Sequence, residues 1–181
     1  DGRADPIRAS ARVRVRDMRI ARLFPDVALN RNSVGRINGE VNLTGSGSSV
    51  GRMLATSQGK VRLAMARGEI SRLMMEQAGL HLWEILEIKM TSDKLIHVRC
   101  GVADFDIKAG IMQANVLIFD TEVTTISGTG SIDLGSEKLD LVLNQKTKNT
   151  SPLALRSPIL VRGTLARPEA SVDRGRVAAR L

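Results

Sequence analysis

Short runs in which apolar and polar residues alternate recur along this chain, and they constrain its fold more than any single motif. Ala11, Val13 and Val15 alternate with Arg12, Arg14 and Arg16, the pattern of an extended strand with one buried face. After Asp17 the apolar positions become Met18 and Ile20, a change of parity that predicts a bulge. The alternation returns at Ile37-Gly39-Val41-Leu43, at Val61-Leu63-Met65, and from Ile96, Val98 and Cys100 to Phe105 and Ile107. It continues through Val116 and Ile118, Ile126 to Leu134, Leu139 to Leu143, and Ile159 to Gly163. Connections such as Ala109-Gly110 and Gly135-Ser136-Glu137-Lys138 have hairpin length. About eight antiparallel strands are predicted.

Two stretches break the period. Val50, Met53 and Leu54 have helical spacing behind a possible N-cap at Ser48 or Ser49. Residues 71–90 are too densely apolar for a half-exposed strand and predict two short helices, capped by Ser71 and divided at Gly79. Strands do not alternate with helices, so a doubly wound parallel sheet is excluded. The expected fold class is α+β: one curved, mainly antiparallel sheet of about eight strands with two short helical segments. So little helix cannot cover so much sheet. The apolar face must curl on itself, pair with more chain, or stay open as a groove. The expected organisation is a strand and loop over 1–34 continuing from a longer parent chain, a domain over 35–170, and a polar, Arg-rich tail over 171–181.

Net charge is +8, but residues 37–148 hold 12 basic and 13 acidic groups, so the excess sits at the two ends. Three Phe, one Trp and no Tyr leave few rings on which bases could stack, which argues against a nucleic-acid partner. Asp1 in place of Met is expected of a processed product or a piece of a longer chain. No stretch has the length of an apolar membrane span. Cys100 is the single cysteine, and its spacing from Ile96 and Val98 predicts a buried structural thiol.

The candidate chemistry is thin. Gly47-Ser48-Ser49-Val50-Gly51 matches a nucleophile elbow, with Asp93 and His97 or His81 as possible partners of Ser49. That elbow belongs to a parallel sheet, and a plain turn is the better reading; Val50 also stands where a dinucleotide fingerprint needs a third glycine. His81 and His97 lack a surrounding cluster of metal ligands. Asp104 and Asp106 fall on the side opposite Phe105, toward solvent, which disfavours a catalytic pair. Arg12, Arg14 and Arg16 form a basic stripe that could meet anionic lipid headgroups, although a solvated, aggregation-resistant strand is the simpler account. Met74, Met75, Leu82, Trp83 and Leu86 fit core better than an interfacial anchor.

The order of motifs carries more. Leu43-Thr44-Gly45-Ser46-Gly47-Ser48, a short helix, Gly59-Lys60-Val61-Arg62-Leu63 and Gly68-Glu69-Ile70 precede the dense helical region. Phe105 to Ile111, Ile126 to Leu134, Leu139-Asp140-Leu141, and Ser157 to Leu165 with Pro168 follow. Over roughly 35–170 this series resembles the C-terminal region of the AsmA family. The resemblance implies a fragment of a large Gram-negative envelope protein, anchored in the inner membrane by an N-terminal helix and periplasmic in its β-sheet body. The implied body curls into an apolar groove associated with outer-membrane biogenesis and phospholipid movement. No catalytic motif or cofactor is carried over, so a non-enzymatic segment is expected. Its expected partners are phospholipid or other acyl chains, the remainder of the parent chain, and envelope assembly proteins. Possible groove-lining residues are Val116, Ile118, Ile126, Ile132, Leu139, Leu141 and Leu143. The alternative is an interaction module that helps outer-membrane protein assembly through open β-edges, and a remote one is a serine hydrolase using Ser49.

Overall fold

A computed structural model describes residues 6–19, 34–70, 96–148 and 158–172. They form one antiparallel sheet whose spatial order follows the chain: β1 (Ile7–Arg19), β2 (Val34–Gly47), β3 (Gln58–Ile70), β4 (Ile96–Lys108), β5 (Ile111–Thr121), β6 (Thr124–Asp133), β7 (Lys138–Thr147), β8 (Ile159–Gly163) and β9 (Pro168–Val172). One helix, α1 (Val50–Ala55), joins β2 to β3. The sheet therefore has nine strands where about eight were expected, with one six-residue helix among the described residues. The strand missed is β9. It is short and opens on Pro168, which is tolerated at an edge because among the described residues no further strand requires its missing N–H. The helical segment expected over 71–90 lies outside the described residues.

Cross-strand partners share a face, so the register sorts every side chain. The row Val13↔Val41↔Val61↔Phe105↔Ala114 and the row Gly39↔Leu63↔Ala103↔Leu117 belong to one apolar face. That face continues through Met112↔Ile132↔Leu139 and Leu141↔Val161↔Ala170. Glycines at apolar positions make room for larger neighbours. A Cβ at Gly128 would overlap Leu117 and crowd Leu143, and one at Gly39 would overlap Leu63.

Bulges decide where sequence parity misleads. The shift between Val15 and Met18, with Asp17 at φ 55°, is the bulge expected from the parity change. A second shift, between Asp104/Phe105 and Val116/Ala114, inserts Asn115 as an extra residue in β5. It turns Val116 and Ile118 to the face of Asp104 and Val102, away from the apolar side, and puts Leu117 and Phe119 there instead. Of the seven possible groove-lining residues, those two face outward. A third shift, between Val98 and Cys100, leaves Val98 buried and Cys100 exposed opposite Asp120. The expected buried thiol is therefore corrected to a surface one.

Among the described residues the core has two centres. Met65 and Val98 are buried with Ile37 and Phe119 packed against them. Ile159 and Val161 are buried beneath Leu139, Leu141, Leu143 and Ala170.

Candidate apolar groove and its polar back

Antiparallel order places the two ends of the sheet in different company. At one end lie α1 and the tight turns 109–110, 134–137 and 164–167. At the other, the chain departs after Arg19, Ile70 and Thr147 and returns at Val34, Ile96 and Ile159.

α1 lies over the apolar face at the first end. Gly45 and Gly47 share the parity of Val41 and Leu43, and a Cβ on them would run into Met53 and Arg52. A Cβ on Gly110 or Gly135 would run into Ala55. Gly45 belongs to β2, whereas Gly135 follows β6, four strand spacings or about 19 Å away on a flat sheet. Met53 and Ala55 are separated by only about 3 Å of helical rise. Both sides of the sheet therefore bend around one helical turn, and the bend is toward the apolar face, which is concave here. Backbone bonds fasten the arrangement: Gly110 N–H donates to Ser57 O at 2.9 Å, and Leu134 N–H donates to Gly110 O at 2.9 Å. Ser49 is the helix N-cap, its Oγ accepting from Arg52 N–H at 3.3 Å, and the Thr56 hydroxyl donates to Ser46 O at 2.6 Å.

The concave face carries aliphatic side chains from β1 to β9, including Ile126, Ile132, Leu139, Leu141 and Leu143. Among the described residues, α1 is the one element packed across it, and only at its end. Depth changes along a row: Val13 is 50% exposed, Val41 and Val61 are half-buried, and Phe105 is 7% exposed. At the other end a shallow cavity of about 710 Å³ is lined by Arg67, Gly68, Glu69, His97, Val98 and Arg99.

The convex back carries rows of charged and polar side chains, with Val102, Val116 and Ile118 exposed among them. Arg14 pairs with Glu40 at 3.6 Å, Arg62 with Asp104 at 3.5 Å, and Lys60 with Asp106 at 3.1 Å. Arg12 Nε donates to Asn42 Oδ1 at 2.9 Å. Hydrogen bonding from Asn42, with Arg14 and Arg12 nearby, holds Glu40 below the usual carboxylate range. Asn115 and Lys60 do the same for Asp106, and the Ser136 hydroxyl and backbone N–H do so for Asp133. Lys148 Nζ lies 2.5 Å from Asp120, whose carboxylate also accepts from Thr125 and is held low by both. The alternating carboxylates of β4 thus face away from Phe105, as expected, and serve cross-strand pairing.

The remaining sequence candidates separate. Ser49 caps α1 at the closed end, while His97 sits at the far end with Nε2 3.4 Å from Glu69 and Nδ1 3.5 Å from Glu122. The length of β3 stands between them, about 40 Å, so the Ser49–His97 pair does not assemble. His81, Asp93, Met74, Met75, Leu82, Trp83 and Leu86 lie outside the described residues. Among the described residues no group of three or more His, Cys, Asp or Glu is arranged to hold a metal ion. Arg12 and Arg14 engage β2, and Arg16 is exposed beside the bulge. Sequence reasoning missed Leu117, Phe119 and the end wall made by α1. Glycines at apolar parity, Gly45 and Gly128 above all, were the available signal for close packing.

The sequence profile of the AsmA family matches residues 1–117. The chain is 35% identical over 180 residues to the AsmA family protein YhjG of Escherichia coli (strain K12), covering 99% of this chain and 26% of that protein. It thus spans about a quarter of the length of that relative. No solved structure matches significantly. On the family match and this near-complete alignment, the chain belongs to the AsmA family.

Proposed function

We propose that the concave face holds lipid acyl chains, and that this segment acts non-enzymatically in moving or retaining phospholipid in the cell envelope. Family membership supports the coarser part, a role in outer-membrane or lipid-related envelope processes. One observation carries the finer part: a sheet with aliphatic side chains from β1 to β9 on one face has, among the described residues, no second layer over it. Hydrocarbon tails need no directional partners, so a strip of Val, Leu, Ile and Met suits them without a specific polar set. Flexible side chains over the glycines at 39 and 128 allow the lining to adjust to chains of different shape. A periplasmic setting beside an inner-membrane anchor is the compartment this reading calls for.

The experiment compares the two faces. The protein is purified, its lipid extracted and identified by mass spectrometry, and the measurement repeated on Leu141→Asp, Val41→Asp and Val116→Asp. The two inner-face changes should abolish co-purifying phospholipid, and Val116→Asp should leave it. Circular dichroism verifies that each variant keeps its sheet. Absence of lipid from the unmodified protein, or equal loss in inner-face and outer-face variants, overturns the proposal.

A further inference from the structure

The connections at the α1 end of the sheet form a continuous rim. Gly110 N–H donates to Ser57 O just after α1, Leu134 N–H donates to Gly110 O, and Leu165 N–H donates to Glu137 O, each at 2.9 Å. Gly110 and Gly135 both abut Ala55, so segments far apart in sequence meet at one tip, made of residues 48–57, 108–111, 133–138 and 164–167. All four connections are described, so from β2 to β9 the strands turn back here with the chain unbroken.

Two kinds of side chain gather at the tip. Val50 is 74% exposed on α1, Ile111 is 41% exposed after the 109–110 turn, and Leu165 is 51% exposed in the 164–167 turn. Turn positions ordinarily carry small polar residues, and these aliphatic groups add nothing to either core centre. Val50 is about 8 Å of helical rise from Ala55, and Ile111 follows the glycine that abuts that same alanine. With them stand four exposed cations, Arg52, Lys108, Lys138 and Arg167, against two acids, Asp133 and Glu137. Asp133 is occupied by its own turn, accepting from Gly135 N–H, Ser136 N–H and the Ser136 hydroxyl. The exposed aliphatics of the back, Val102, Val116 and Ile118, lie instead beside the matched Arg62–Asp104 pair.

From this meeting of exposed aliphatic and basic groups we infer that the tip seats on a membrane surface containing anionic phospholipid. Val50, Ile111 and Leu165 enter between the headgroups, and Arg52, Lys108, Lys138 and Arg167 meet the phosphates. The backbone bonds along the rim keep the two sets in fixed relation, so no ordering of a loop has to accompany contact. A second copy of this chain fits poorly, because tip against tip would set four cations against four. The remainder of a longer chain is the competing occupant, and it would need a face both apolar and acidic. The inference concerns the tip alone and stands whether or not acyl chains occupy the concave face.

The test sediments the chain with phosphatidylcholine vesicles, with and without phosphatidylglycerol, at low and high salt. The chain should follow the anionic vesicles, less so at high salt, and stay in solution with the neutral ones. The variants Val50→Ser/Ile111→Ser/Leu165→Ser and Lys108→Gln/Arg167→Gln should each weaken binding about tenfold. Val102→Ser on the back and Val41→Asp in the concave face should bind as the unmodified chain does. In a Cys100→Ser background, an environment-sensitive fluorophore on Leu165→Cys should shift to the blue on anionic vesicles, and one on Val102→Cys should not. No sedimentation, or equal sedimentation with both vesicles, overturns the inference. So does a loss in Val102→Ser or Val41→Asp equal to that in the tip variants, which would place the contact on the back or in the groove. Shielding of the Leu165 fluorophore from iodide in a longer chain containing this segment, with no vesicles present, would give the tip to the parent chain and overturn it as well.

Discussion

The two ends of the sheet keep their shape by different means. At the α1 end the contacts are between backbones: Gly45, Gly47, Gly110 and Gly135 lie against helix main chain or Cβ, and amide-to-carbonyl bonds run from Gly110 to Ser57 and from Leu134 to Gly110. At the far end backbone bonds also run, from Glu122 N–H to His97 O and from Lys148 N–H to Val123 O, and side chains add to them. Met65 and Val98 bury each other, and Lys148–Asp120 and His97 with Glu69 and Glu122 bridge strands over the outside. The backbone contacts at the α1 end leave no room for added atoms, while its 134–137 turn also rests on the Asp133 carboxylate, which accepts from the Gly135 and Ser136 N–H groups. A side-chain seal tolerates substitution by degrees and depends on protonation. For the lipid-holding face proposed above, the first would serve as a fixed wall and the second as an adjustable mouth.

The largest expected effect breaks the wall. Gly110 sits at φ +75°, where other residues are strained, and a Cβ there would meet the Ala55 backbone. Gly110→Val should cost more than about 3 kcal/mol, enough to prevent folding of a marginal sheet. Gly51, inside α1, has nothing within 4 Å of an added Cβ. Gly51→Ala should stabilise by about 0.5–1 kcal/mol through helix propensity. Urea denaturation of the two variants measures the contrast; comparable effects would mean that the glycines at the closed end are not packed against the helix.

At the far end the expected loss is intermediate. Met65 is 7% exposed over Val98, and Met65→Ala should cost about 2–3 kcal/mol. Val13, half-exposed at the β1 edge, should lose under about 0.5 kcal/mol as Val13→Ala. A larger loss at Val13 would signal that something already covers that edge.

Much of this contrast was legible in the sequence, and the limits have physical causes. Period-2 alternation located β1 to β8 because each strand has one apolar and one polar side, and the switch at Asp17 announced the first bulge. The bulge at Asn115 left no such trace. Val116, Leu117, Ile118 and Phe119 are apolar at both parities, so pattern alone cannot say which pair faces the core. At Cys100 the register shift occurs inside a run whose alternation continues, which made an exposed thiol look buried. Ser49 was legible as an N-cap, but the bending of the sheet around α1 rests on contacts far apart in the chain. β9 was hidden by proline, glutamate and serine in a strand of five.

A smaller effect sharpens the role of α1. The Ser49 side chain accepts from Arg52 N–H, and no acidic residue occupies the first turn to compensate its loss. Ser49→Ala should cost about 1 kcal/mol. Hydrogen exchange should quicken at the helix and the turns it touches, Gly110 and Gly135, with the amides of Val98 and Thr121 unchanged. Equal acceleration at both ends would show that the ends open as one unit, and the comparison would lose its meaning.

The gentlest perturbation is acid, and it should act at both ends, on Asp120 at the far end and on Asp133 in the 134–137 turn beside α1. Asp120 has its pKa lowered by the Lys148 ammonium and the Thr125 hydroxyl. A carboxyl that is more acidic folded than unfolded adds stability above its unfolded pKa, near 4, and surrenders it as pH falls through the lower folded value. Stability should therefore decline as pH drops below about 4, with Asp120 contributing at the far end, Asp133 in the turn beside α1, and Glu40 and Asp106 along the convex back. Replacing Asp120 with Asn removes one of these groups. The Asp120→Asn variant should be slightly less stable at pH 7 and lose less on acidification than the unmodified chain. Denaturation midpoints at pH 7, 5 and 3 test this, and amide exchange at Thr121 and Thr124 locates the change. If exchange at Gly135 and Ser136 quickens well before that at Thr121 and Thr124, the Asp133 turn rather than the Asp120 contact is the first to give way.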